Sequence, residues 1–286
     1  MNEDPKRIAI IDGDGLAFHS LRETLEQSLE ALDDKFQNLL TKTQADHYLL
    51  FISKGKYFRH DVFPEYKIKR REYTKDRVSY VRTLKSVLQD KYGAEYTKGV
   101  EADDLCAFYY KKLTTELYGT AVLCSPDKDL LTCIPNKCEA GHFNYTYKIQ
   151  GESEPTIKGW WIETTAEQAE WNFWASMITG DSSDGIPGIF RKGIKYVNKL
   201  FEGKKIEELP NIVFNTFIEA YGMSKGIFEF QKHYRLLHLL DCQEDYLRET
   251  GEIPGLVFPI PVPTFESNSF NPTPSTSSEF LNDDNL

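Results

Sequence analysis

Three short apolar runs constrain the fold more than anything else in the chain: RIAII at 7–11, HYLLFI at 47–52 and TAVLC at 120–124. Each is too short for a buried helix and apolar on both faces, the pattern of a strand covered on both sides. Helix-patterned stretches at roughly 15–41, 72–92 and 101–118 separate the runs. Strand and helix alternate, which predicts an α/β fold with a mostly parallel central sheet flanked by helices. In such sheets ligands gather beyond the carboxyl ends of the strands, and Asp12 and Asp127 fall just past two of them.

Downstream the pattern turns helical, with Thr165 to Thr179, Lys192 to Phe201 and Gly222 to Leu240 as the predicted helices. The expected organisation is an α/β domain over 1–180, a helical subdomain over 181–252 and a tail over 253–286. The tail is rich in Pro, Ser, Thr and Asn, too polar to bury a core, and is expected to be disordered. No apolar run approaches the roughly 18 residues needed to span a bilayer, and the opening MNEDPKR lacks the apolar stretch of a secretion signal. A cytoplasmic protein with no membrane partner is expected, in the host cytoplasm if the chain is phage-encoded. Five cysteines without CxxC spacing argue for reduced thiols; Cys124, Cys133, Cys138 and His142 lack the spacing of a zinc knuckle.

A net charge of −10 at first argues against a phosphate-rich partner. The distribution reverses that. Between Lys54 and Lys98 stand thirteen Lys and Arg against six Asp and Glu, so a strongly basic segment sits in an otherwise acidic chain. Within it Lys67, Lys69, Arg70, Arg71, Lys75 and Arg77 are interleaved with Tyr66 and Tyr73. Cations can contact phosphates while tyrosine rings stack on unpaired bases; the plainer alternative is a solvated basic helix face.

Acids cluster at four strand or helix junctions: Asp12 and Asp14 in IIDGDG, Glu101, Asp103 and Asp104 in GVEADDL, Asp127 and Asp129 in CSPDKDL, and Asp181 and Asp184 in TGDSSDGIPG. Taken singly, each is an ordinary turn or helix-cap motif. Together they gather carboxylates beside one sheet edge, where mutual repulsion is costly unless a cation relieves it. Hard oxygen donors without His or Cys favour Mg²⁺ or Mn²⁺. Two such ions roughly 4 Å apart suit in-line phosphodiester hydrolysis.

The ordered motifs IDGDG, FPEYKIKRRE, GVEADDL, SPDKDLL and TGDSSDGIPGI resemble those of the phage and bacterial 5′ nucleases, relatives of the flap endonucleases and the T7-type exonuclease. The resemblance runs from about Ile8 to about Leu200. It implies a PIN or flap-endonuclease-like fold in which residues about 54–98 form a helical arch. It also implies two Mg²⁺ ions: Asp12, Glu101 and Asp103 hold the first, with Asp104 a further acid there, and Asp127, Asp129, Asp181 and Asp184 hold the second. Asp14 stands where the family has a neutral residue, which leaves it a turn former. Ser53 stands where many members carry another acid, so the first site is expected to lean on water.

By the same resemblance Lys67 and Arg70 approach the scissile phosphate as catalytic residues and Tyr66 orients the terminal nucleotide. GIPGIFRKGIKYVNKL at 185–200 resembles the helix-turn-helix element by which the family grips duplex DNA. Gly188, Arg191, Lys192, Gly193 and Lys195 then join Lys69, Arg71, Lys75 and Arg77 as DNA-binding residues. The implied function is a Mg²⁺-dependent, structure-specific 5′ nuclease (5′–3′ exonuclease or flap endonuclease) of replication, repair or recombination. Its partner is DNA with a free 5′ end or 5′ flap, RNA–DNA hybrid being left open, and it acts as a monomer. The tail could dock on a replication protein. Two alternatives stay open: a haloacid-dehalogenase-like phosphatase built on Asp12 and Asp14, and a non-enzymatic structure-specific DNA-binding protein.

Overall fold

The computed structural model describes residues 7–68, 75–116, 120–133, 141–148, 157–255 and 257–262. Its main sheet runs in the order β3-β2-β1-β4-β5-β6, formed by β1 (Arg7–Asp12), β2 (His47–Ile52), β3 (Glu95–Tyr96), β4 (Thr120–Cys124), β5 (Gly141–Lys148) and β6 (Ile157–Ile162). The first five strands are parallel and β6 runs antiparallel to β5. Asp12 lies opposite Phe51, and Ile11 opposite Cys124. The carboxyl ends of β1, β2 and β4 therefore open on one edge.

Strand alternation divides the core. Ala9, Ile11, Leu50, Ile52 and Val122 face α1 (Gly13–His19), α2 (Leu25–Thr43) and α4 (Lys75–Tyr92), meeting Leu16, Phe36, Leu39, Leu84 and Leu88, while the short α3 (Phe58–Val62) follows β2. Ile8, Ile10, Leu49, Phe51 and Leu123 face α5 (Ala102–Glu116), meeting Cys106, Tyr109 and Leu113. Burying each Leu, Ile or Phe contributes about 1.5–3 kcal/mol. The stretch expected as one helix over 15–41 is two helices. Ser20 turns its hydroxyl back on Leu16 O (2.7 Å), and Thr24 then caps α2 by accepting from Gln27 N (3.2 Å).

A third cluster joins α6 (Ala166–Thr179), α7 (Ile194–Phe201), α8 (Leu209–Tyr221) and α9 (Met223–Leu237) through Phe173, Met177, Ile178, Val197, Val213, Phe217 and Phe230. The expected division at residue 180 is corrected here: α6 gives its apolar face to the helical cluster. Leu240 and Tyr246, the latter on α10 (Gln243–Thr250), pack instead into the sheet's core. The tail is also corrected. β9 (Ile260–Pro261) pairs antiparallel with β2, Val262 N donates to Asp46 O (2.9 Å) and Val257 N to the Tyr109 hydroxyl (3.0 Å). Val257 and residues 260–262 are thus tied to α5 and to the sheet's edge, whereas 263–286 lie outside the described residues. Among the described residues no helix is long and apolar enough to cross a membrane.

Candidate active site

At the open sheet edge Asp12 ends β1 and caps α1. Its Oδ1 accepts from Gly15 N (3.0 Å) and its Oδ2 from Ser125 Oγ (2.9 Å), just past β4, and the side chain is buried. Asp127 and Asp129 follow in the same turn, where Asp127 N donates to Ser125 Oγ (3.0 Å) and Asp129 N to Asp127 Oδ1 (2.9 Å). Glu101 and Asp103 stand at the start of α5. Asp181 and Asp184 ride on a small hairpin of β7 (Gly180–Asp181) and β8 (Ile186–Pro187). That hairpin requires Gly188: a Cβ there would stand 2.2 Å from Thr179 O.

Electrostatics ties these acids together. Burial, aided by Asp14 and Asp127 against the bonds from Gly15 and Ser125, raises the Asp12 carboxyl to about 7. Burial, Asp12 and Asp127 push Asp103 well above the carboxylate range, although Lys67 opposes them. Burial, Asp127 and Asp181 raise Asp129 to about 7 against Lys128. Asp127 acts on acids of both expected metal sets and is therefore the link between them. Two members go the other way: for Glu101, Lys67 and Arg59 outweigh burial and hold it near 2, and for Asp181, bonds from Lys128 and Ser183 outweigh burial and lower it. The donors are carboxylates held close at a cost in repulsion, which fits a hard divalent cation.

Lysines bridge the acids. Lys67, in the left-handed region at φ 55°, binds Glu101 Oε1 through Nζ, lies 3.5 Å from Asp184 Oδ2, and donates its backbone N–H to Asp184 O (2.9 Å). Lys128 Nζ lies 2.7 Å from Asp181 Oδ2 and 3.9 Å from Asp129 Oδ1. Lys128 was missing from the expected set, though its place between two acids in SPDKD was the available signal.

Two expected roles are corrected. Asp104 is fully buried and saturated: its Oδ2 accepts from Arg59 Nη1 (2.6 Å) and Glu101 N (3.0 Å), its Oδ1 from Arg59 Nη2 (2.8 Å) and Leu240 N (3.1 Å). Four bonds occupy its lone pairs; the same number meets Asp181, but Asp104 gives two of its own to the buried Arg59 guanidinium, whereas the cation on Asp181 is the exposed Lys128. Arg59 spends its remaining donors on Leu236 O (2.9 Å), His238 O (3.0 Å) and Glu101 Oε2 (3.3 Å). Tyr66 is also buried and cannot stack on a nucleotide; its hydroxyl stands 2.7 Å from Glu101 Oε2 and 2.9 Å from Asp184 Oδ2. It carries one proton for two acceptors.

Asp14 is more than a turn former. Its Oδ1 accepts from Ser53 N (2.9 Å) and lies 2.9 Å from Lys85 Nζ on α4. The Ser53 hydroxyl accepts from Ala102 N (2.8 Å), so the residue in the place of an acid caps α5. His142 Nε2 pairs with Ser125 O (2.9 Å), and Cys124 packs in the sheet's core, away from any zinc arrangement.

Of the expected DNA-binding residues, Lys69 and Arg71 lie outside the described residues, as does Arg70 of the catalytic set. Lys75 opens α4 and Arg77 follows it, exposed. Gly193 caps α7, with exposed Arg191 and Lys195 beside it and Lys192 donating to the Tyr196 hydroxyl (2.7 Å). Phe190 and Ile194 are exposed among these cations. The segment 185–200, expected as a helix-turn-helix element, holds β8, the 188–193 loop and most of α7.

Fold and site define an α/β protein of the flap-endonuclease-like type, a parallel sheet with acids collected at its carboxyl edge. The chain belongs to the 5′-3′ exonuclease family, whose N-terminal, resolvase-like domain model matches residues 7–157. Curated relatives include the thermostable DNA polymerase I of Thermus aquaticus, 27% identical over 212 residues and covering 70% of this chain but 24% of that protein. Another is the 5′-3′ exonuclease of Buchnera aphidicola subsp. Schizaphis graminum, 28% identical over 203 residues, 69% of this chain and 67% of that one. The chain spans about a quarter of the length of the polymerase relatives. Among solved structures, the bacteriophage T5 protein crystallised with metal ions matches at TM-score 0.58 and 19% identity, covering 82% of this chain and 90% of that one. The T5 flap endonuclease in a pseudo-enzyme-product complex with DNA and metal ions matches at TM-score 0.53 and 19% identity, covering 81% and 99%. At that identity the likeness is one of fold.

Proposed function

We propose that the chain is a structure-specific 5′ nuclease that hydrolyses phosphodiester bonds in DNA near a free 5′ end or 5′ flap. The observation that carries this is the collection at one sheet edge of Asp12, Asp103, Asp127 and Asp129, three of which are driven to raised protonation by burial and by one another. Asp12, Glu101 and Asp103 would hold one Mg²⁺ and Asp129, Asp181 and Asp184 a second, with Asp127 between them. When bound, such ions activate water and stabilise the leaving oxygen.

The chain's own residues supply the rest. Lys67 presents a cation at the join of the two carboxylate sets, where charge builds on a phosphate being cleaved. Tyr66 hydrogen-bonds at Glu101 and Asp184, and Lys67 together with Arg59 holds Glu101 ionised. The exposed cations and backbone N–H groups around Gly193 suit the phosphates of a duplex without reading sequence. Incubating a 5′-labelled flapped duplex with Mg²⁺ or with EDTA tests the reading: Mg²⁺ should shorten the labelled strand and EDTA should abolish this. A mobility shift without cleavage would leave a binding protein instead.

A further inference from the structure

Behind the candidate active site, the end of α9, the following loop and the first turn of α10 bring His238, Asp241 and Asp245 together. One ligand atom from each lies within 4.8 Å of the others. From these residues we propose a second metal site of a different chemical kind, a structural site for a divalent transition metal such as Zn²⁺, held by His238 Nδ1 and the two carboxylates with water completing the set.

Several observations carry it. His238 Nδ1 is one of three side-chain N or O atoms among the described residues that are buried without a hydrogen-bond partner; such atoms are rare and call for a ligand or a water. The ring is fixed, stacked on Tyr234 (centroids 4.7 Å apart, planes 12° apart) and edge-on to Phe173 (5.6 Å).

The spacing also fits. His238 Nδ1 and Asp245 Oδ2 are 3.7 Å apart, and ligand atoms around a tetrahedral Zn²⁺ with bonds of about 2.0–2.1 Å stand roughly 3.3–3.4 Å apart. Each carboxylate commits one oxygen to a cation, Asp241 Oδ2 to Lys111 (2.8 Å) and Asp245 Oδ1 to Arg248 (2.8 Å). Asp245 Oδ2 is left to the Cys242 thiol (3.2 Å) and the site. Finally, there is access: His238 and Asp241 line a cavity of about 130 Å³ together with Cys133, Glu170 and Trp174.

An imidazole sets this cluster apart from the all-carboxylate edge and favours a softer ion than Mg²⁺. Its place gives it a purpose. His238 O and Leu240 N bond Arg59 and Asp104, the pair behind Glu101, so an ion here would pin the segment that supports the active site.

The test uses the full chain, stripped with EDTA, loaded with Zn²⁺, then dialysed against excess Mg²⁺ and analysed for bound zinc. The expected result is one Zn²⁺ per chain in the parent and in Asp127→Asn, none above background in His238→Ala and Asp245→Asn. Co²⁺ in place of Zn²⁺ should give the visible absorption of a four-coordinate site in the first two only. Loss of zinc from the parent under Mg²⁺, or a full equivalent retained by His238→Ala, overturns the proposal. Should His238→Ala fail to fold, the half-buried Asp241→Asn serves, and the parent's stoichiometry decides on its own.

Discussion

Asp104 and Asp127 look equivalent in sequence, each an acid in a motif of acids, and the structure gives them opposite jobs. Asp104→Asn removes the charge that Arg59 faces inside the protein, where both side chains are at most 2% exposed. Breaking one side of a buried pair costs about 3–5 kcal/mol, which for a chain of this size lowers the melting temperature by roughly 10 °C. Asp127→Asn instead relieves repulsion on Asp12, Asp103 and Asp129. It should leave metal-free stability equal or higher while removing the gain in melting temperature that Mg²⁺ gives. Thermal melts of both variants with Mg²⁺ and with EDTA separate the two roles. A second check is the pair Arg59→Met with Asp104→Leu, which should be more stable than Asp104→Asn alone because no charge is left buried without a partner. Should Asp104→Asn melt with the parent and shift the Mg²⁺ requirement, Asp104 is a metal ligand and the saturation of its lone pairs is no guide.

Other outcomes follow from the same geometry. Asp12 and Asp129 titrate near 7 in the folded state against about 4 unfolded, so the native chain binds more protons in between. Metal-free stability should therefore rise as pH falls from 8 toward 5, with Mg²⁺ affinity rising in the opposite direction; a flat melting profile would contradict this. Lys67→Ala should slow cleavage at saturating DNA by about 100-fold, measured in single-turnover kinetics. Ser53→Asp should keep the α5 cap, tighten the Mg²⁺ requirement and lower metal-free stability, as read from Mg²⁺ titrations and melts. Gly188→Ala places a methyl against Thr179 O and should cost about 1–3 kcal/mol by denaturant unfolding, whether or not DNA binding changes.

Local pattern carried a good deal. The runs at 7–11, 47–52 and 120–124 are the three central strands because a strand buried on both faces must be apolar at every position. The acids at their ends were legible because motifs keep their order along the chain. GHFNYTYK and IKGWWI lack the continuous apolar run of the central strands, because β5 and β6 form an antiparallel pair at the sheet's edge, with a register shift between Asn144 and Tyr147. Helix α8 is absent from the expected helices, and Pro210 sits in its first turn, where a missing N–H costs nothing.

By itself, then, the sequence determined the central strands, the family motifs and the set of acids available to a cation, because strand burial and turn chemistry are written in neighbouring residues. Only the tertiary structure decided which acids are free. Arg59 sits in YFRHDVF like any surface cation, and its partners Asp104 and Leu236 lie 45 and 177 residues along the chain. Whether a carboxylate serves a metal or a guanidinium depends on what packing brings to its lone pairs, which no local pattern contains.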